Sequence, residues 1–415
     1  MRPIQNLHEA ELALEPFWPS NVNRPAYTTE QIELFMEYIG DPQNKPRSIH
    51  IAGTSGKTST AYYAAALLGQ AGKKVGLLTS PHIESLNERV QINLEPLAEP
   101  LFCSELAAFL EIVEQSGIKL TYAEILYAFG YWEFERQHVD YIVIEVGMGG
   151  LLDATNVIDR PDKIAVITDI GLDHTNVLGN TLELIAEHKA GIIRLKNAVF
   201  CHPQSEEIME VIQAQARQRQ ADLHIVHQDG RTPADLPLFQ QRNFSLALEA
   251  VLFALERNGR TTLNEGQIQA AATVHIPARM EQFTVKDKIV ILDNAHNPQK
   301  LQALCKSLDA QYPNKSMAFL VAFAEGRGRN VAEMVNELES IADYLIVTDL
   351  PPGMKQRKGR EVSDVLAAYR GENKQGVSGY EAALKELLTR PEDVLVVTGS
   401  TYLLEDIRPL VRAMQ

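Results

Sequence analysis

A chain of 415 residues, 45% hydrophobic and 22% charged, has the composition of a globular protein and is too long for one ordinary core, so two or three domains are expected. Its formal charge of −15 excludes a general binder of nucleic acid or anionic membrane, which needs net Lys and Arg, and leaves room only for local basic patches. Cys103, Cys201 and Cys305 show neither paired nor C-x-x-C spacing and read as reduced cytoplasmic thiols. The opening "MRPIQNLHEAELALEPF" carries acids where a secretory signal would be apolar, and no run of ~18 apolar residues occurs. The expectation is a soluble, cytoplasmic, monomeric two-domain enzyme.

In chain order, 48–52 is a short apolar strand, a glycine loop follows, and "TSTAYYAAALLGQA" (58–71) is an alanine- and leucine-rich helix closed by Gly72. The loop, "AGTSGKTST", departs from G-x-x-x-x-G-K-[ST], because Ile51 stands where the first glycine belongs and Gly53 comes two residues later. Context restores the reading. A strand runs into the loop and a helix leaves it, so free N–H groups and the helix dipole face a common point that suits phosphate. The bland alternative is a glycine turn before a helix.

"KVGLLTS" returns as a second strand, and "YIVIEVG" (141–147), "KIAVITD" (163–169) and "NAVFCHP" (197–203) are further β-branched runs separated by loops or helices, the pattern of a parallel doubly wound sheet. A helix is expected over 243–259. "ATVHIPARMEQF" shows no clear periodicity, and the domain boundary is placed near 285. Beyond it, "KIVILDN", "SMAFLVAF", "DYLIVTD" and "DVLVVTG" alternate with helices at 298–312, 330–341, 361–370 and 380–389. The fold class is therefore α/β: an N-terminal phosphate-loop domain with a mostly parallel sheet (1–285) and a smaller Rossmann-like domain (286–415). The second lacks G-x-G-x-x-G after its first strand, which argues against a dinucleotide.

Lys57 is placed to reach β- and γ-phosphates, and the Thr58 hydroxyl suits Mg²⁺, a hard cation that takes few protein ligands. Glu145 ends a buried apolar run, where a carboxylate needs a cation; the alternative is an ordinary strand-end acid. Asp173 and His174 follow the next strand on the sheet edge where such folds bind ligands, and the histidine is either structural or a metal ligand. Ser80 and His82 lie at the end of the second strand. In "NTLELIAEHKAGIIR", Asn180 and Glu183 resemble a capping box, and Leu182, Ile185, Lys189, Ile192 and Ile193 share a helical face, so Lys189 points toward the sheet or snorkels out. The basic run "GMKQRKGR" (353–360) is either a solvated loop or a guide for an anionic substrate.

These residues together resemble the Mur ligase superfamily and, within it, the folylpolyglutamate synthase and dihydrofolate synthase family. The resemblance spans nearly the whole chain, through "AGTSGKTST", "TSPHIESLNERV", "IEVGMGGLLDATN", "LDHTNVLG" with "EHKAGIIR", "IPARMEQF", "LDNAHNP" and "VTGSTYLLEDIR" in order. It implies an ATP-dependent amide ligase that joins L-glutamate to a folate or dihydropteroate carboxylate through an acyl phosphate. It further implies that the loop of Gly53, Thr54, Ser55, Gly56, Lys57, Thr58 and Ser59 holds ATP, and that Ser80 and Glu145 bind one Mg²⁺, the ion for which the loop pattern already offers the Thr58 hydroxyl. His174 would bind a second Mg²⁺, Lys189 would be a carbamylated lysine, and Arg279, Asp293 and His296 would contact ATP.

The chain departs from the family at Thr58, where folate-family loops often carry glycine, at Leu151 in place of a frequent arginine, at Ala278 in place of a common glycine, and in the loop over 325–330. A muramyl peptide or other acid therefore stays open as the substrate, as does a nucleotide-binding regulatory protein. The early phosphate loop leaves no room for a preceding uridine-nucleotide domain, which favours the folate branch.

Overall fold

The computed structural model describes residues 3–19, 27–259, 262–325, 330–351 and 358–415. Two compact units emerge. One runs to Leu172 and continues over Leu178–Ala234 and Arg242–Val274; the other combines Asp173–Val177, Asp235–Gln241 and His275–Gln415.

The first unit begins with α1 (Leu7–Leu14) and α2 (Glu30–Tyr38), followed by β1 (Arg47–Ala52), α3 (Lys57–Gln70) and β2 (Val75–Leu78). Next come β3 (Val90–Ile92), β4 (Glu95–Pro96), α4 (Glu99–Ser116), α5 (Tyr122–Arg136), β5 (Tyr141–Glu145) and β6 (Ile164–Ile167). The chain passes through α6 (Thr175–Leu178), most of which belongs to the second unit, and continues with α7 (Leu182–Ala190), β7 (Ala198–Cys201), α8 (Glu206–Gln218), β8 (Asp222–Ile225), α9 (Leu238–Arg257), which joins the first unit from Arg242 on, and α10 (Glu265–Ala272). The eight strands lie in the order β4-β3-β2-β5-β1-β6-β7-β8, parallel from β2 to β8, with β3 and β4 antiparallel at one edge.

The central strands are apolar throughout because both faces are covered. β5 and β6 are buried at every position, and so is β1 after Arg47. One face carries α3, which buries Ser59 through Leu68. Another core joins Phe35, Phe102, Phe109, Phe129 and Phe134, with Phe109 edge-on to Phe35 at 5.6 Å. α5 starts at a capping box, in which Thr121 N donates to Glu124 Oε2 at 2.7 Å.

The second unit holds β9 (Glu281–Val285), β10 (Lys288–Leu292), α11 (Pro298–Gln311), β11 (Met317–Val321), α12 (Val331–Glu339), β12 (Tyr344–Val347), α13 (Val362–Ala368), β13 (Lys374–Gly376), α14 (Tyr380–Thr389), β14 (Val394–Thr398) and α15 (Thr401–Arg412). Its sheet runs β13-β12-β11-β14-β10-β9, parallel except for the β9–β10 hairpin. This unit starts earlier than residue 285, because β9 belongs to its sheet: Glu281, Phe283 and Val285 face inward in strict alternation. α9 likewise starts at Leu238 rather than 243.

Part of the basic run at 353–360, with Lys355 and Arg357, and the centre of the 325–330 loop lie outside the described residues. Among the described residues no helix is long and apolar enough to cross a membrane.

Candidate active site

The loop between β1 and α3 needs glycine at two points. Gly53 has φ +156°, and a Cβ there would lie 1.8 Å from Thr168 Oγ1; Gly56 has φ +90°, and its Cβ would meet Asn243 Oδ1 at 2.3 Å. The glycine that the sequence pattern lacks at Ile51 is thus supplied by a close approach at Gly53. Lys57 Nζ donates to Gly53 O at 3.0 Å, folding the side chain back over the loop. Thr54 N and Ser55 N both donate to Asp169 O, at 2.8 and 3.1 Å, and Thr54 Oγ1 to Gly171 O at 2.9 Å. The first backbone bond into α3 comes from Thr60 N to Gly56 O. Ser59 lies buried in this turn, its hydroxyl without a partner among the described residues.

Glu145, 2% exposed at the end of β5, joins the loop to β2. Its Oε1 accepts from Thr58 Oγ1 at 2.9 Å and its Oε2 from Ser80 N at 3.2 Å. Ser80 Oγ is 2.9 Å from Tyr127 Oη, on α5. Burial pushes the Tyr127 phenol well above its usual range and keeps it neutral, with the nearby Asp153 charge acting in the same direction. A carboxylate and the hydroxyls of Thr58 and Ser80 make a set of hard oxygen donors suited to Mg²⁺. Among the described residues, no group of three or more His, Cys, Asp or Glu side chains is arranged to hold a metal.

The "GMGGLLDATN" loop is organised by the buried Asp153. Its Oδ2 accepts from Met148 N at 2.8 Å, and its Oδ1 from Thr155 N at 3.0 Å and Thr155 Oγ1 at 2.6 Å. Burial raises its proton affinity and these hydrogen bonds oppose the rise. The loop backbone reaches α7, where Leu151 N donates to His188 O at 2.7 Å.

Lys189 is 4% exposed, and Ile185, Ile192 and Ile193 on its face are fully buried. It points inward and does not snorkel, and its Nζ donates to Gly53 O at 2.9 Å. The ammonium groups of Lys57 and Lys189 therefore share one carbonyl. The cap of α7 differs from the expected one. Thr181, extended at φ −123°, is the N-cap, and its hydroxyl accepts from Leu184 N at 3.3 Å, so Asn180 stands one residue too early.

His82, in the first unit, accepts from Arg89 Nε on Nδ1 at 2.9 Å, and the remaining sequence candidates fall in the second unit. His174 has φ +51°, a left-handed conformation uncommon for a non-glycine residue, and its N–H donates to Asp173 Oδ1 at 2.9 Å. Asn297, the N-cap of α11, approaches Asp173 Oδ2 at 3.4 Å. Ala278 and Met280 flank Arg279 at φ +53° and +46°. Left-handed Ala278 explains physically why glycine suits that position. Asp293, buried after β10, accepts from Met280 N at 2.8 Å. Burial pushes its carboxyl up to about 6, against the pull of Arg279. His296 faces Asn294 O through Nδ1 at 2.9 Å and receives Lys300 Nζ on Nε2 at 3.0 Å, an arrangement that fits a neutral ring carrying its proton on Nδ1.

In the first unit the structure thus brings together the loop 53–59, Ser80, Glu145 and Lys189; in the second it gathers Arg279, Asp293 and His296, and Asp173 with His174. Sequence reasoning missed Tyr127, the anchoring by Asp153, and Asn243 over Gly56. The capping box of α5 was a signal for the helix that carries Tyr127.

Comparison with known proteins agrees with this division. The Mur ligase middle domain family matches residues 51–246, and the Mur ligase, glutamate ligase domain family matches 278–401. A folylpolyglutamate synthase of Lacticaseibacillus casei is 30% identical over 410 residues, covering 91% of this chain and 93% of that protein. Among solved structures, a Mycobacterium tuberculosis folylpolyglutamate synthase complexed with ADP and AMPPCP superimposes with a TM-score of 0.82 at 26% identity, covering 98% of each chain. Escherichia coli FolC in complex with DHPP and ADP gives 0.83 at 25% identity, covering 100% of this chain and 99% of that one.

Proposed function

Because this chain belongs to the folylpolyglutamate synthase and dihydrofolate synthase family of Mur ligases, we propose that it joins L-glutamate to a folate or dihydropteroate carboxylate at the expense of ATP. The observation that carries the reading is the convergence at the C-terminal ends of adjacent strands. Lys57 and Lys189 meet at Gly53 O beyond β1, and Glu145 beyond β5 draws in Thr58 and Ser80.

The residues fit the groups they are assigned. Gly53 and Gly56 leave a cradle closed to any side chain, and the first turn of α3 presents N–H groups to a polyphosphate. Lys57 would lie along the β- and γ-phosphates, and Thr58, Ser80 and Glu145 would hold Mg²⁺, which when bound supplies neutralisation of phosphate charge. The substrate carboxylate oxygen attacks the γ-phosphorus and ADP leaves; the glutamate amine then attacks the acyl carbon, loses a proton and expels phosphate. Lys57 opposes the charge that builds during the first transfer.

Lys189 is assigned as a carbamate. Its neutral amine would bond the carbon of CO₂ and release one proton, turning a buried cation into an anionic oxygen donor suited to a hard metal. Its burial on α7, where a snorkelling lysine would be exposed, supports this assignment. His174 is proposed as a ligand of a second Mg²⁺, and Arg279, Asp293 and His296 as ATP contacts, on the motif match.

The test is glutamate-dependent ADP release measured with dihydropteroate, a reduced folate and a muramyl peptide. Turnover with either of the first two, and none with the third, is expected. Turnover with the muramyl peptide alone, or ATP binding without glutamate-dependent turnover on any acid, would overturn the reading.

A further inference from the structure

Asp169 and Arg242 have no task in the reaction above, yet they form an ion pair of three hydrogen bonds beside the phosphate loop. Residues 168–171, just past β6, run against that loop. Thr168 N donates to Ala52 O at 2.8 Å, and Thr168 Oγ1 fills the space a side chain at 53 would need. Asp169 O takes the N–H groups of Thr54 and Ser55, while Thr54 Oγ1 and Gly171 bond reciprocally, at 2.9 Å to Gly171 O and 3.1 Å from Gly171 N. The position of Thr54 and Ser55 is thus set by this segment.

The segment is held from outside. Arg242 Nε donates to Asp169 Oδ1 and Oδ2 at 2.9 and 2.8 Å, Nη2 to Oδ1 at 2.7 Å, and Nη2 also to Pro203 O at 3.2 Å. Gln204 Oε1 accepts from Ile170 N at 2.7 Å. The carbonyl of Arg242 is itself engaged, by Ser245 Oγ at 3.0 Å and by His202 Nε2 at 2.8 Å. The next residue, Asn243, is the one packed over Gly56. One turn of α9 therefore reaches the loop directly through Asn243 and indirectly through Asp169.

We propose that Arg242 is a positioning residue for the phosphate loop. It pins 168–171 through Asp169, so that Thr54 and Ser55 spend their N–H groups on that segment and the start of α3 is left to face phosphate. It also cancels the Asp169 carboxylate, which would otherwise repel a polyphosphate. A lysine keeps the charge but not the fork that engages both oxygens.

The proposal rests on the nucleotide reading of the loop, and its test separates the two. Lys57→Ala, Arg242→Gln, Arg242→Lys and Asp169→Asn/Arg242→Gln are compared with the parent by calorimetric titration with ADP, KM for ATP, kcat and Tm. Arg242→Gln should raise the ADP Kd and the ATP KM by about tenfold, with kcat at saturating ATP within about twofold of the parent. Arg242→Lys should fall between them. The double variant should recover only the part of the affinity lost to the unpaired carboxylate and stay weaker than the parent, because 168–171 is still unpinned. A merely structural role would lower Tm and scale kcat with the folded fraction while leaving KM unmoved. Unchanged Kd and KM in folded Arg242→Gln, a double variant no better than the single, or a double variant that matches the parent would overturn the proposal; unchanged ADP binding in Lys57→Ala would instead overturn the nucleotide reading.

Discussion

Replacing Glu281 by Gln tests how the turn that carries Arg279 is held. Glu281 is buried on β9, where its carboxylate accepts from Arg408 Nε at 3.0 and 2.7 Å, from Arg408 Nη2 at 2.7 Å and from Ala278 N at 2.8 Å, with His275 Nε2 at 2.7 Å. The pair also ties "IPARMEQF" to the terminal "VTGSTYLLEDIR". Burial alone would raise the proton affinity of this carboxyl. The hydrogen bonds from His275 and Arg408, and the Arg408 charge, outweigh burial and hold it down to about 2 from 4.5. At about 1.4 kcal/mol per tenfold change in proton affinity, this corresponds to about 3 kcal/mol.

The sign follows from the depressed value: the unfolded chain binds the proton more readily. The contribution is complete above about pH 4.5 and drains away as pH falls toward 2. Glu281→Gln should therefore unfold more easily by about 3 kcal/mol at pH 6, with the gap closing below pH 4. The chain's only tryptophans, Trp18 and Trp132, lie in the first unit, so urea unfolding is followed by far-ultraviolet circular dichroism alongside fluorescence to isolate the second. A gap that stays constant between pH 6 and 3 would refute the reasoning, as would no gap at all.

Lys189→Ala should abolish ligase turnover and regain part of it with added formate, whereas full activity in Lys189→Arg, which forms no carbamate, would exclude that modification. Lys163→Met should stabilise the first unit by about 1–3 kcal/mol at pH 7, because the fully buried Lys163 amine has, among the described residues, one long bond, 3.3 Å to Ile158 O, and burial drives its pKa far below that of free lysine. The unfolded lysine binds the extra proton, so this gain should shrink as pH rises toward 10.5 in urea titrations; a gain independent of pH would contradict it. Asp287→Gly should add about 0.5–1 kcal/mol to the second unit, measured as Tm, since Asp287 sits at φ +65° in the β9–β10 turn.

The two hairpins show where the sequence became hard to read. Both close through two residues in the left-handed region, Asn93–Leu94 at φ +53° and +70° and Lys286–Asp287 at +48° and +65°. That geometry usually announces itself as Asn-Gly or Asp-Gly, and neither is present here. β3, β4 and β9 were consequently missed, whereas β5, β6 and β14, buried on both faces, were visible as unbroken apolar runs. The site divides in the same way. Lys57, Ser80 and Glu145 could be placed because each stands at the end of such a run. Tyr127 meets Ser80 from 47 residues away and Arg242 meets Asp169 from 73, and no local pattern encodes such meetings.

The carbonyl of Gly53, shared by Lys57 at 3.0 Å and Lys189 at 2.9 Å, has a consequence for how the loop waits. Two ammonium groups drawn to one oxygen lie within about 6 Å of each other and repel. A polyanion bound between them would relieve that repulsion while forming its own contacts. By the same linkage, anything that discharges the pair also stabilises the fold. Carbamylation would turn one of the two positive charges into a negative one beforehand, trading resting attraction for a metal ligand.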